Sequence, residues 1–187
     1  MAEPVSIRFK NPGALNKGSW MPAFPGYIGS QETTPGNVTA IFETHEDGLA
    51  AWWVLMHKYR ASGHDTVREI IVRYGGAGQK AKYEAYARQI TAWTGLTPGT
   101  VVNLDNDAQL IPFARAMFRY EAGVPSPLTD AQMREGFRRG RAFVGQKPAP
   151  EKPKGSPKPS APTNPAPGVP EAPKAFLKTL WDRLRRK

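Results

Sequence analysis

Two carboxylates stand where a proton could be delivered at neutral pH. Glu121 closes the stretch DAQLIPFARAMFRYEA, whose other residues are mostly apolar or basic. On a helix it lies three and four positions beyond Phe118 and Met117 and shares their side. Apolar neighbours disfavour the ionised form and raise the pKa, and the negative end of the helix pushes the same way. Those are the conditions for a general acid, as in glycoside cleavage. The competing reading pairs Glu121 with Arg115 or Arg119, or turns it to water. Glu43, just ahead of the first long helical stretch, is the candidate second carboxylate.

Aromatic side chains cluster by sequence around the turn Gly75-Gly76-Ala77-Gly78: Tyr74, Tyr83, Tyr86 and Trp93. Rings present faces to pyranose C–H groups, and phenols can bond sugar hydroxyls. The same helical spacing also suits a core. Other chemistries find little support. His45, His57 and His64 form no HExxH pattern, and Gly63 separates the last two, so no metal is expected. The absence of cysteine removes thiolate sites and disulfides. No Gly-x-Ser-x-Gly elbow or phosphate loop is present, and no cofactor is expected.

The elements that must position these groups are legible as helices. Thr44, with Asp47 three residues on, precedes GLAAWWVLMHKYRA, which Gly63 ends. Thr66 with Glu69 opens VREIIVRY, stopped at Gly75–Gly76. Residues 79–94 read as a third helix closed by Gly95. Asp105 or Asn106 caps a fourth, closed by Gly123, with Pro112 in its first turns. Thr129 caps a fifth. Residues 1–43 are rich in Gly, Pro, Asn, Ser and Thr and read as a long irregular segment, with one short strand at Val38–Phe42. The expected class is mainly α, a single compact domain over residues 1–145.

Beyond residue 145 the composition changes. The chain carries 26 Lys and Arg against 16 Asp and Glu, a net +10. Ten of the basic residues and only three acids lie after Val144, so the tail holds most of the excess. Ten of the 19 prolines fall between Pro148 and Pro173, which makes residues 146–173 a semi-extended, disordered linker. In residues 174–187, Phe176, Leu177, Leu180, Trp181 and Leu184 fall on one stripe of a helix surrounded by cations. An amphipathic helix this short is marginal alone and needs a surface. An anionic membrane or lipopolysaccharide surface and a protein partner fit that stripe equally. Nucleic acid is disfavoured, because an apolar stripe does nothing for phosphate. No apolar run is long enough to span a bilayer, and the N-terminus carries no secretory h-region.

Three stretches in order resemble a phage and prophage group related to lysozyme-type peptidoglycan hydrolases. Arg8-Phe9-Lys10-Asn11-Pro12-Gly13 is similar to its Arg-x-x-Asn-Pro-Gly opening. Phe42-Glu43-Thr44 followed by Gly48 and Ala51 is similar to its Phe-x-Thr-x-x-x-Gly-x-x-Ala pattern. Tyr120-Glu121-Ala122-Gly123 followed by Leu128-Thr129-Asp130 is similar to its close. Between them, IIVRYGGAGQKAKYEAYARQITAWTGL resembles a stretch in which an aromatic-Gly-Gly turn precedes Tyr-x-x-Tyr. The set covers about residues 7–144.

The resemblance implies a lysozyme-like helical domain that cleaves the bond between N-acetylmuramic acid and N-acetylglucosamine, as a lysozyme or lytic transglycosylase. Glu121 would be the acid, and Asn11, Tyr74, Tyr83 and Tyr86 would line the glycan groove. Glu121 lies late in the chain, whereas such enzymes place their acid early, so either the elements would be permuted or the acid would lie elsewhere. The protein would reside in the virion or in the host cytoplasm before release, and act on the wall or in the periplasm. The alternative is a non-enzymatic virion component whose C-terminal helix docks on a capsid or membrane protein.

Overall fold

The computed structural model describes residues 3–75 and 80–145, with only the backbone at 80–82. The expected linker and the C-terminal helix, with Phe176, Leu177, Leu180, Trp181 and Leu184, lie outside the described residues. Within them the protein is mainly helical, six helices beside a two-stranded hairpin. They are α1 (Val5–Arg8), β1 (Tyr27–Thr34), β2 (Asn37–Phe42), α2 (His45–Ala61), α3 (Val67–Gly75), α4 (Lys80–Thr94), α5 (Asp107–Ala122) and α6 (Asp130–Gly145). No helix among the described residues is long and apolar enough to cross a membrane.

The helix boundaries follow local chemistry. Thr44 caps α2 by accepting the Asp47 N–H at 3.2 Å. Thr66 and Glu69 form a reciprocal box at α3: Glu69 Oε2 accepts the Thr66 N–H at 3.1 Å, and Thr66 Oγ1 accepts the Glu69 N–H at 3.3 Å. Asn106 caps α5 through the Ala108 N–H at 3.1 Å. That helix ends at Gly123, whose φ of +70° is the left-handed conformation a side chain resists.

α2 is the axis of the core. Leu49, Ala50, Ala51, Trp52, Trp53, Val54 and Met56 are all buried, so the helix is enclosed on nearly every side rather than along one stripe. Trp52 is fully buried against the rings of Phe113, Phe118 and Phe137. Truncating an aromatic in such a site costs roughly 3–5 kcal/mol. Trp53 turns away from that cluster and donates its indole N–H to the Leu104 carbonyl at 3.2 Å.

α6 lies tight against α2 because its contact face is glycine. A Cβ on Gly140 would sit 3.0 Å from both the Ala50 carbonyl oxygen and Trp53 Cε3. One turn earlier, Gly136 leaves room for the side chain of Leu49. An ion pair ties the two helices together, Arg139 to the buried Asp47 at 2.8 Å.

The N-terminal segment is less irregular than its composition suggests. Besides β2, where a short strand is expected, it holds α1, a 3-10 turn at Met21–Ala23 and a second strand, β1, antiparallel to β2. β1 escapes sequence reading because YIGSQETT carries apolar side chains only at its start and its pairing has two register shifts. The far edge of β2 is also paired: the Lys17 N–H reaches the Val38 carbonyl at 2.8 Å, and the Ala40 N–H reaches that of Leu15 at 2.9 Å. Within residues 3–42 the segment thus wraps the core in regular hydrogen bonds.

Candidate active site

Glu121 occupies the last full turn of α5, half-buried, two residues before the Gly123 cap. Its Oε1 accepts the phenol O–H of Tyr86, from α4, at 3.1 Å. The Tyr86 ring lies flat on that of Tyr120, from α5, with centroids 3.6 Å apart and planes 7° from parallel. A buried phenol, held by stacking, therefore grips one oxygen of the carboxyl.

A second phenol stands beside it. Tyr74, at the end of α3, donates its O–H to the Gly13 carbonyl. Burial is the first cause that lifts the Tyr74 and Tyr86 phenols well above the usual tyrosine range, and the charge of Glu121 is the second. Tyr59 of α2 also acts on Tyr74 and is itself pushed up to about 12, by burial against the opposing pull of Arg73. All three hydroxyls remain protonated donors at neutral pH. Tyr86 thus bonds Glu121 and Tyr74 feels its charge, both as buried groups rather than as open ring faces.

The Asn-Pro-Gly turn explains how Tyr74 is held. Asn11 has no exposed surface. Its amide donates to the Leu15 and Ala40 carbonyls, both at 2.9 Å, and its Oδ1 accepts the Leu15 N–H at 2.8 Å. No face of Asn11 is left for a sugar, and it corrects the expectation that it lines a groove. Its work is to tie the turn to β2. Gly13 then slots between two side chains: a Cβ there would lie 2.6 Å from Trp52 Cδ1 and 2.7 Å from the Tyr74 hydroxyl. Gly48 of α2 lets the Lys10 carbonyl and Pro12 approach closely. The three motif stretches are far apart in sequence but converge at this junction.

The other candidates are dispersed. Tyr83 is buried and donates to the Gly75 carbonyl at 3.0 Å, so it braces the end of α3 and faces no groove. Glu43 is exposed at the end of β2, its N–H on the Gly26 carbonyl at 2.8 Å. Trp93 is half-exposed beneath the Arg119 guanidinium, 4.4 Å from the ring centre. Arg115 pairs with Asp130 at 2.6 Å. His57 stacks on Trp53, and the His45 pKa is lowered, first by burial and then by Lys10. The described residues contain no group of three His, Asp or Glu side chains suited to a metal.

Sequence reasoning misses Tyr120 and Tyr59. Tyr120 adjoins Glu121 in the chain, but its partner Tyr86 is 34 residues away, and no local spacing announces the stack. Of two concavities among the described residues, one reaches the residue next to Glu121, lined by Ser6, Pro12, His45, Phe118, Ala122 and Leu128, and the other is lined by Thr94, Asn106, Gln109 and Pro112. What the Glu121 junction can do chemically is hold one carboxyl in a fixed orientation among protonated phenols, a setting for proton transfer. No family model and no curated protein matches the chain, which leaves this side-chain geometry to carry the functional reading.

Proposed function

We propose that this protein cleaves the glycan of peptidoglycan, at the bond between N-acetylmuramic acid and N-acetylglucosamine, with Glu121 as general acid. The observation that carries the reading is the half-buried Glu121 carboxyl at the end of α5, hydrogen-bonded by the buried Tyr86 phenol. The Glu121 O–H gives its proton to the glycosidic oxygen as the C1–O bond breaks, and the departing sugar leaves as an alcohol. The electron-poor C1 is then captured by water or by a hydroxyl of the same sugar. The Glu121 carboxylate takes up the proton lost by that nucleophile, which restores the acid. One carboxylate suffices for this sequence. The lysozyme-like ancestry and the phage or prophage origin belong to the same proposal and rest on the ordered motifs.

In this reading the basic tail brings the domain to its substrate. Its stripe of Phe176, Leu177, Leu180, Trp181 and Leu184 would engage an anionic envelope surface or a virion protein, with the Pro-rich stretch as spacer. The protein would be carried in the virion, or held in the host cytoplasm until release, and would work on the wall.

The second reading is a non-enzymatic virion component. It is favoured by the inward placement of Asn11 and Tyr83. A zymogram with embedded peptidoglycan separates the two. The enzyme clears the gel, and Glu121→Gln, folded to the same melting temperature, does not. A structural protein gives no clearing with either chain.

A further inference from the structure

We infer that Tyr86 is a positioning residue for Glu121, held rigid by Tyr120. The inference rests on Glu121 being the acid. It replaces the expected role of Tyr86 as a sugar contact.

Three observations carry it. Tyr86 is only 4% exposed, so its ring offers no face to a polymer. Its hydroxyl instead reaches Glu121 Oε1 at 3.1 Å, a normal hydrogen bond with the phenol as donor. Its ring is clamped face to face on Tyr120, the residue next to Glu121, so the donor and its acceptor ride on one rigid unit. Parallel rings 3.6 Å apart leave the phenol little freedom to swing away from the carboxyl.

The chemical consequence is a carboxyl held in one orientation, with Oε1 accepting the phenol O–H through one of its lone pairs. After delivery the negative charge is shared over both oxygens, and the Tyr86 bond strengthens as Oε1 becomes more basic. Tyr86 thus assists the step in which the acid loses its proton, without touching the substrate. Tyr74 takes no such part, because its O–H is already given to the Gly13 carbonyl.

Tyr86→Phe in the full-length chain is the test, since it removes the hydroxyl and keeps the ring on Tyr120. With soluble glycan strands as substrate, kcat is expected to fall about ten- to a hundredfold while KM stays within about twofold. A spectroscopic arm reads the bond directly. In protein labelled at tyrosine 13Cζ, Glu121→Gln should shift the Tyr86 resonance and leave that of Tyr27 unmoved. A fall in kcat at constant KM, together with that shift, supports the positioning role. If Tyr86→Phe keeps full kcat, or raises KM alone, while Glu121→Gln abolishes cleavage, the positioning role is overturned and the acid assignment survives. If Glu121→Gln still cleaves, both fall together. Tyr120→Leu, which loosens the clamp but spares the hydroxyl, should give an intermediate kcat.

Discussion

Replacing Gly13 by alanine tests whether the Asn-Pro-Gly turn is a packing device at the candidate site. The new methyl would lie 2.6 Å from Trp52 Cδ1 and 2.7 Å from the Tyr74 hydroxyl, about 1 Å inside ordinary contact for both. Neither neighbour can yield cheaply. Trp52 is fully buried among three phenylalanine rings, and the Tyr74 hydroxyl is bonded to the carbonyl of Gly13 itself. Overpacking of this kind costs roughly 1–3 kcal/mol. Alanine also narrows the unfolded ensemble, which returns about 0.4–1 kcal/mol. A net loss of about 1.3 kcal/mol remains, or a fall in Tm of roughly 4–5 °C for a domain of this size. Gly99→Ala is the matched control, since a Cβ there meets nothing within 4 Å. Differential scanning calorimetry of both variants decides the matter. If Gly13→Ala melts with the control or above it, the close packing at the turn is not a constraint and the reasoning fails.

Two further outcomes follow from groups already described. Asn11→Ala takes the side-chain partner from the buried Ala40 carbonyl and Leu15 N–H, each worth roughly 1–3 kcal/mol, while the Leu15 carbonyl keeps the Ala40 N–H. The urea midpoint should drop sharply, whereas a sugar-binding Asn11 would leave it in place and raise KM. Glu135 is held at about 2 against an ordinary 4.5, first by hydrogen bonds from Arg138 and Arg139. Its folded-state pKa is depressed, so its contribution is present above pH 4.5 and is lost as pH falls toward 2. Acid unfolding of Glu135→Gln should therefore be less steep over that window, and an unchanged slope would remove Glu135 from the account. The amplitude is modest, because the pair is partly exposed and screened by solvent.

The helices were legible because their ends carry local chemistry. Thr44, Thr66, Asn106 and Thr129 each cap within three residues, and Gly63, Gly95 and Gly123 close helices at positive φ. β1 was not legible, because its pairing depends on a partner rather than on its own pattern. The candidate site was half legible. The grouping of Tyr74 and Tyr86 could be anticipated from consecutive elements around one turn, but not the bond from Tyr86 to Glu121. Asn11 and Tyr83 could not be separated from true ligand contacts by sequence. A buried amide and a groove amide look the same until their acceptors are known, and those of Asn11 lie on its own turn and on β2, 29 residues away. Gly13 and Gly48 likewise show their purpose only when the chain segments they admit are in place.

The glycine seam between α2 and α6 bears on how the chain is made. α2 emerges from the ribosome early, with Leu49, Ala50 and Trp53 awaiting a cover that α6 supplies some ninety residues later. Until Gly136 and Gly140 have been synthesised, the nascent chain carries a bare apolar rod that no earlier element shields on that side. Such late closure over a long loop delays folding and leaves the growing chain in need of a chaperone. A ribosome stalled before α6 would release a sticky fragment rather than a smaller working domain.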